Sequence, residues 1–307
     1  MKLAALDLGS NSFLCLVAET DSNGILKTLS DQVEIVRLGK NLESQKSFDP
    51  QALIRAQETL ARFKIQIDKF KPDIITAVAT AAARKVSDPS PLINICQLLQ
   101  IPVQIISGSE EARLTYLGAA ADFLSHGKLA IIDIGGGSTE IVLGKGASIE
   151  FSISVPIGAV NLTEKLDLAD LKNRDPIKIR STLDSLFSAA FQKITDTSER
   201  KLIAVAGTPT ELARAEIGTF DFDKINGYQF SAEWLQSKTQ QLQLLNPQQT
   251  IEIGIDKGRA DIIFAGATIL SYLLDKFAQQ KLSVSTKGLR YGLALDIINR
   301  SQHVSNS

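Results

Sequence analysis

Histidine is almost absent from this 307-residue chain: only His126 and His303 occur, the first in a Ser-His-Gly stretch and the second in a polar tail. A Ser-His-Asp relay, a phosphohistidine intermediate or a zinc site each needs histidine in better company, and GxSxG, HExxH and CxxC are all missing. Cysteine is as scarce. Cys15 and Cys96 each sit inside an apolar run and not at ligand or redox spacing, which reads as two buried, inert thiols and fits a reducing cytoplasm. Neither charge sign is in excess. Thirty-three Lys and Arg stand against 34 Asp and Glu, net −1, so no global field gathers a nucleic acid polymer or a membrane surface. No apolar run reaches membrane-spanning length, and Asp7 interrupts the N-terminal residues where a signal peptide would need an unbroken core. The expectation is a cytoplasmic protein that catches any anion locally.

What is present is an ordinary globular composition, 44% hydrophobic and 22% charged, at a length that accommodates two domains. Chemistry concentrates at residues 129–145, LAIIDIGGGSTEIVLGK. A buried strand runs into a glycine turn at 135–137 and returns as a second strand, which sets Asp133 and Glu140 facing each other across the turn. Glycine amides can wrap a phosphate, and two carboxylates beside them can hold the divalent cation that accompanies it. Alone, the stretch is equally readable as a Gly-rich structural hairpin.

The same pattern occurs once more. Leu3, Ala4, Asp7, Gly9 and Ser12 coincide with Leu129, Ala130, Asp133, Gly135 and Ser138 at a constant offset, 133 − 7 = 126. Apolar positions keep step on both sides of each turn, so internal duplication of a small α/β domain is the better account than chance likeness of two strands.

The remaining segments read as alternating strands and helices. A strand over 33–38 precedes a helix over 50–70, started by Asp49 as cap and Pro50 in the first turn, and a buried strand follows at 74–79. A helix after it places Thr80 and Arg84 one turn apart on one face, Arg84 being either an anion contact or a solvated arginine. A strand at 103–106 leads into Ser107-Gly-Ser-Glu110-Glu111. Ser107 and Glu110 fit a capping box, with Glu110 folded back on the cap backbone, and Glu111 points elsewhere round the helix. Both acids equally suit the helix dipole. Further strands are expected at 148–155, 202–206 and 284–285, and helices over 161–193, broken at 173–176, over 262–274 and from 288 to 300. Gly207 and Thr208 end a buried strand as a small-residue turn, suited to a nucleotide or phosphate and equally to a plain strand-to-helix turn.

Taken in order, DLGSNSF at 7–13, ATAAAR at 79–84, SGSEEARL at 107–114, IDIGGGSTEIV at 132–142, GTPT at 207–210, RADIIFAG at 259–266 and GLRYG at 288–292 resemble the exopolyphosphatase and guanosine pentaphosphate phosphohydrolase (Ppx/GppA) family, within the actin, sugar kinase and Hsp70 superfamily. The resemblance spans nearly the whole chain. It implies an α/β fold of two RNase H-like (actin-like ATPase) domains with an interdomain cleft, residues 1–114 plus 289–307 and residues 115–288, in a short-form member without extra helical domains. It also implies Glu111 as general base for the attacking water and Arg84 as holder of the terminal phosphoryl group. Gly9, Ser10, Asn11 and Ser12, with Gly135, Gly136, Gly137 and Ser138, would cradle phosphate, and Gly207 and Thr208 would add to them. Asp133 and Glu140, with Asp7, would stand on the metal side. The implied cofactor is Mg²⁺ or another divalent cation, and the implied substrate is inorganic polyphosphate or guanosine pentaphosphate. Tyr291 departs from the family pattern, which commonly has Glu after GLR. Two other classes share these motifs: a non-catalytic alarmone or polyphosphate sensor, and an ATP-dependent small-molecule kinase of the same superfamily. A homodimer is compatible with symmetric pairs being the commonest oligomer.

Overall fold

The structure, a computed structural model, describes residues 1–21, 25–194, 197 and 199–305; the side chains of 43, 44 and 302–305, that of His303 among them, lie outside the description. The chain divides into two units, Met1–Gly118 with Lys287–Ser307, and Ala119–Thr286.

The first unit is built on a mixed sheet of β1 (Lys2–Leu8), β2 (Ser12–Thr20), β3 (Leu26–Ile35), β4 (Ile74–Ala79) and β5 (Val103–Ile105). Its order is β3-β2-β1-β4-β5, an antiparallel meander continued by two parallel strands. The second carries β6 (Lys128–Ile134), β7 (Thr139–Lys145), β8 (Ser148–Val155), β9 (Lys201–Val205), β10 (Gln229–Ser231) and β11 (Lys281–Val284). There the order is β8-β7-β6-β9-β11, with β10 antiparallel at the edge. Both sheets thus follow the 3-2-1-4-5 order of an RNase H-like domain, and the duplication read from two hairpins extends to whole topologies.

Central strands are apolar on both sides because helices cover both faces. Along β1, Ala4, Leu6 and Leu8 enter one core and Leu3 and Ala5 another, as alternation along a strand requires. The first face is covered by the helix Pro50–Phe70, where Asp49 Oδ1 accepts from the Ala52 amide at 3.0 Å and Ala52, Ala56, Leu60, Phe63 and Ile67 form the buried stripe. Cys15 and Cys96 lie in that core, and burial pushes both thiols up to about 12. The second face takes the closing helix, Leu289–Ser305, against β1 and β2. Its head is fixed by Arg290, whose Nε and Nη2 donate to the two carboxylate oxygens of Asp31, each at 2.7 Å, with both side chains buried. Tyr291 Oη donates to the same carboxylate at 3.0 Å.

In the second unit the break near Pro176 has a structural use. Arg174 donates to the carbonyls of Leu168 at 2.7 Å, Leu242 at 2.7 Å and Leu245 at 2.9 Å, satisfying the end of the helix Ala232–Gln243 while its guanidinium lies over Phe264. Two expectations move. The strand expected at 33–38 runs instead over Leu26–Ile35, because its polar residues face partly outward on the edge of the sheet and hide the pairing with β2. Glu110 does not fold back on its cap: Ser107 Oγ does accept from the Glu110 amide at 3.1 Å, but the Glu110 carboxylate takes a bidentate bond from Arg113 at 2.8 Å. A fixed guanidinium one turn away outcompetes a single amide. Among the described residues no helix is long and apolar enough to cross a membrane.

Glycines in the GLRYG segment let the helix Gly108–Ala120 and the closing helix approach backbone to backbone. A Cβ on Gly292 would lie 1.7 Å from the Leu114 carbonyl oxygen, whereas one on Gly288 meets nothing within 4 Å. Gly292→Ala is therefore expected to cost on the order of 3 kcal/mol in urea unfolding, while Gly288→Ala stays within about 1 kcal/mol of the parent. Equal effects of the two substitutions would refute the close approach.

Candidate active site

The turn joining β6 to β7 is closed by the Gly135 amide donating to Ser138 O at 3.0 Å, and Asp133 stands opposite Glu140 in the ladder. Directly opposed residues share a face, so the two acids lie side by side. Glu140 is 1% exposed, and its Oε1 accepts from Ser154 Oγ of β8 at 2.6 Å. The loop is held through its carbonyls. Gly135 O accepts from the Ala159 amide at 2.9 Å, Gly136 O from Val160 at 2.9 Å and Asn161 at 3.2 Å, and Gly137 O from Asn161 Nδ2 at 3.0 Å. Asn161 Oδ1 in turn accepts from the Gly158 amide at 2.6 Å. This packing needs a bare Cα: a Cβ on Gly158 would sit 2.4 Å from Gly135 O.

The turn joining β1 to β2 repeats the device. Gly9 donates to Ser12 O at 3.1 Å, Ser10 O accepts from Gly39 at 2.7 Å, and Asn11 O accepts from Val36 at 2.9 Å and Arg37 at 2.8 Å. A Cβ on Gly39 would meet Ser10 Cβ at 2.8 Å. Ser10, Asn11 and Ser12 are buried. The copies differ in the acids: Asp7 stands opposite Leu14, where the second hairpin has Glu140. Gly39, Gly158 and Asn161 were not singled out in the sequence, where a lone glycine or asparagine after a strand carries no distinguishing pattern.

Glu111 lies in the first turn of the helix Gly108–Ala120, 8% exposed. Arg84, from the short helix Ala81–Lys85 after β4, donates through Nη1 to Glu111 Oε2 at 2.7 Å and to Ile106 O at 2.9 Å. Thr80, buried at the head of the same short helix, also hydrogen-bonds the carboxylate. Burial holds the Glu111 carboxyl above the usual carboxylate range, and the Arg84 charge and the bonds from Arg84 and Thr80 pull it back only in part. The strands β4 and β5 thus bring together Glu111, Arg84 and Thr80 from two sequence motifs.

Gly207 and Thr208 are placed differently from the two loops. Gly207 opens the helix Gly207–Ile217 with the Arg259 guanidinium against its Cα, and Thr208 packs against Gly266, where a Cβ would lie 2.2 Å from its Oγ1. This turn is filled by side chains of its own unit, whereas the two hairpin turns are backed by main chain. For a cation, the described residues contain no cluster of three or more acids, histidines or cysteines. Mg²⁺ needs no such cage: it retains waters and takes one or two carboxylates together with substrate phosphate oxygens. The Asp133 and Glu140 pair beside a glycine loop fits that donor set.

A duplicated RNase H-like fold with a glycine loop at the head of each sheet defines a phosphate-handling α/β protein. Comparison makes the class specific. The model of the Ppx/GppA phosphatase family matches residues 16–301, and the chain belongs to that family. It is 30% identical, over 95% of its length, to 46% of a bifunctional 3-dehydroquinate synthase/phosphatase of Fusobacterium nucleatum. It is 27% identical, over 97% of its length, to 59% of a guanosine-5'-triphosphate,3'-diphosphate pyrophosphatase of Pseudoalteromonas atlantica. The chain thus spans about half the length of these curated relatives. The crystal structure of the Aquifex aeolicus member of the Ppx/GppA family is similar with a TM-score of 0.80 at 26% identity, covering 98% of each chain.

The Glu111 environment makes a pH-dependent prediction. A carboxyl whose pKa is raised on folding favours the folded state at low pH and loses that contribution as pH rises through the folded value. Removing the counter-charge with Arg84→Gln raises it further. The variant is expected to be destabilised by about 2 kcal/mol at pH 8, with the difference shrinking toward pH 5. Urea unfolding at both values tests this, and a cost independent of pH would show that Glu111 is not the group Arg84 serves.

Proposed function

We propose that the chain is a Mg²⁺-dependent phosphohydrolase that removes the terminal phosphate of inorganic polyphosphate or guanosine pentaphosphate by general-base attack of water. The observation that carries this is the buried Glu111 carboxylate, held by Arg84 and Thr80, in a unit that also bears a phosphate loop. Phosphoryl transfer asks chiefly for positioning and neutralisation of charge. The residues 9–12 and 135–138 offer turns with glycines and hydroxyls to phosphate oxygens, each fixed from behind by its own carbonyl bonds. Glu111 takes a proton from water, and its raised pKa brings it toward neutrality, where a base works best. Arg84, one fork of which is on Glu111, serves the phosphoryl oxygens with its remaining donors. Asp133 and Glu140, with Asp7, would hold the cation, which supplies positive charge against the phosphate oxygens when bound.

The relatives support this reading: one is a phosphatase in part and another a guanosine-5'-triphosphate,3'-diphosphate pyrophosphatase. Purified protein with Mg²⁺ is expected to release phosphate from one or both substrates. Glu111→Gln is expected to lower turnover by about 10² to 10⁴ while substrate binding persists. The acid limb of the parent's rate profile should lie above the ordinary carboxylate range, since Glu111 must lose a proton whose pKa is raised. Turnover within about threefold in Glu111→Gln would place the base elsewhere.

A further inference from the structure

The end of the second unit's sheet farthest from the 135–138 turn carries a row of lysines. Consecutive strands end there in Ser148 of β8, Lys145 of β7, Lys128 of β6, Lys201 of β9, Lys281 of β11 and Ser231 of β10. The ladders place them side by side. Ser148 pairs with Lys145, Lys145 with Lys128, Lys201 with Leu129 next to Lys128, and Lys281 with Ser231. Ser283 pairs with Ile203, which brings Lys281 beside Lys201 two residues down. At the usual strand spacing the four ammonium-bearing positions extend over ~14 Å.

Like charges directly opposed across strands destabilise a sheet. Lys201 feels that: burial and the neighbouring Lys281 charge hold its ammonium below the ordinary range. Its Nζ is 3.1 Å from His126 Nε2 and lies over the Phe123 ring. Glu150, on β8 just past this end, is bound to Arg200 at 2.8 Å.

The duplicated first unit provides an internal comparison. At the offset of 126 that aligns the two hairpins, Lys2 corresponds to Lys128 and Glu19 to Lys145. In the first unit Lys2 stands opposite Glu19, which pairs with Lys27 at 3.2 Å, so signs alternate along that sheet end. In the second unit the acid position is a lysine. One copy solves the electrostatics internally, whereas the other leaves four cations in line.

We propose that this row is a binding rail for a linear polyanion, specifically inorganic polyphosphate, distinct from the phosphate loop of the same unit. A line of single charges with flanking hydroxyls and no walls suits a flexible chain of phosphates. A single-stranded nucleic acid would call for aromatic platforms, and the nearby Phe123 face is already covered by Lys201. The rail and the loop lie at opposite ends of β6, about 20 Å apart, so one long chain can engage the rail while short substrates cannot reach both. The choice of polyphosphate as the polyanion rests on the proposed activity; the rail itself does not.

The deciding variant is Lys145→Glu, which restores opposite Lys128 the pairing that Glu19 makes with Lys2. Binding of long-chain inorganic polyphosphate is measured in a Glu111→Gln background, across a salt series, with tripolyphosphate hydrolysis and thermal midpoint measured in the otherwise native protein. The expected result is at least about tenfold weaker binding of the long chain and a salt slope shallower by about one to two, with tripolyphosphate turnover and the midpoint retained. Lys281→Gln, which touches no core residue, should weaken binding in the same direction. Unchanged affinity and slope in both variants would overturn the rail, and equal displacement by single-stranded RNA would overturn its assignment to polyphosphate. If no phosphate is released from any substrate yet binding depends on Lys145, the catalytic reading fails while the rail stands.

Discussion

A glycine turn can offer its amides to an anion only when its carbonyl oxygens have partners elsewhere, and both hairpins meet this constraint in the same way. In each, the segment after the third strand of the meander supplies main-chain donors to the loop carbonyls: residues 36–39 for the 9–12 turn, residues 158–161 for the 135–138 turn. In each, that segment comes so close that its own residue must be glycine, Gly39 in one case and Gly158 in the other. Much of the fold follows. The third strand must run antiparallel beside the second to deliver that segment to the loop, and the parallel strands must lie on the other side of the first. The 3-2-1-4-5 order is what places a loop and its backing at one end of the sheet.

The second constraint is electrostatic. A carboxylate as buried as Glu111 would neutralise itself without help. Arg84 and Thr80 offset part of the desolvation cost, and both come from the segment right after β4, which neighbours β1 in the sheet. The balance leaves Glu111 above an ordinary carboxylate yet still bound to a cation. A group in that state accepts a proton more readily than a surface glutamate does, and the geometry that produces it uses only the pairing of β4 with β5 and the start of two helices. Glu110, one residue earlier, acts structurally, because with Arg113 and Asp296 it fastens the helix Gly108–Ala120 to the closing helix.

The parts of this arrangement that were legible in the sequence are those set by short-range rules. The hairpins were visible because an apolar run, an Asp-x-Gly and a second apolar run recur at one offset, and the opposition of Asp133 and Glu140 follows from turn length alone. The helix Pro50–Phe70 was visible because Asp49 and Pro50 announce its start and its apolar spacing is helical. The Ser107 cap was legible, but not the partner of Glu110, because the capping amide and Arg113 compete for one carboxylate and only packing decides the winner. The extent of β3 was not legible, since Asp31 is buried by Arg290 from a helix 259 positions later in the chain. Nor was the occupation of Gly207 by Arg259: a bare Cα beneath a guanidinium looks, in sequence, like a bare Cα awaiting a phosphate.

The two copies also show how a duplicated scaffold divides labour. The backing of the loops, a requirement of the fold itself, is the same in both. Everything that touches charge has diverged. Leu14 stands where Glu140 stands in the other copy, so one hairpin carries a single acid and the other a facing pair. The first unit has a buried carboxylate and arginine pair beside its sheet, while the turn at the corresponding strand end of the second, after β9, is filled by Arg259 and Thr208. At the far end of the sheets the alternating Lys2, Glu19 and Lys27 of one copy face the unbroken lysines of the other. Main-chain hydrogen bonds tolerate almost any side chain, so topology and loop backing persist through sequence drift. Side-chain charges at strand ends are held by no such bonds, and they are therefore where two copies of one fold acquire different chemistry.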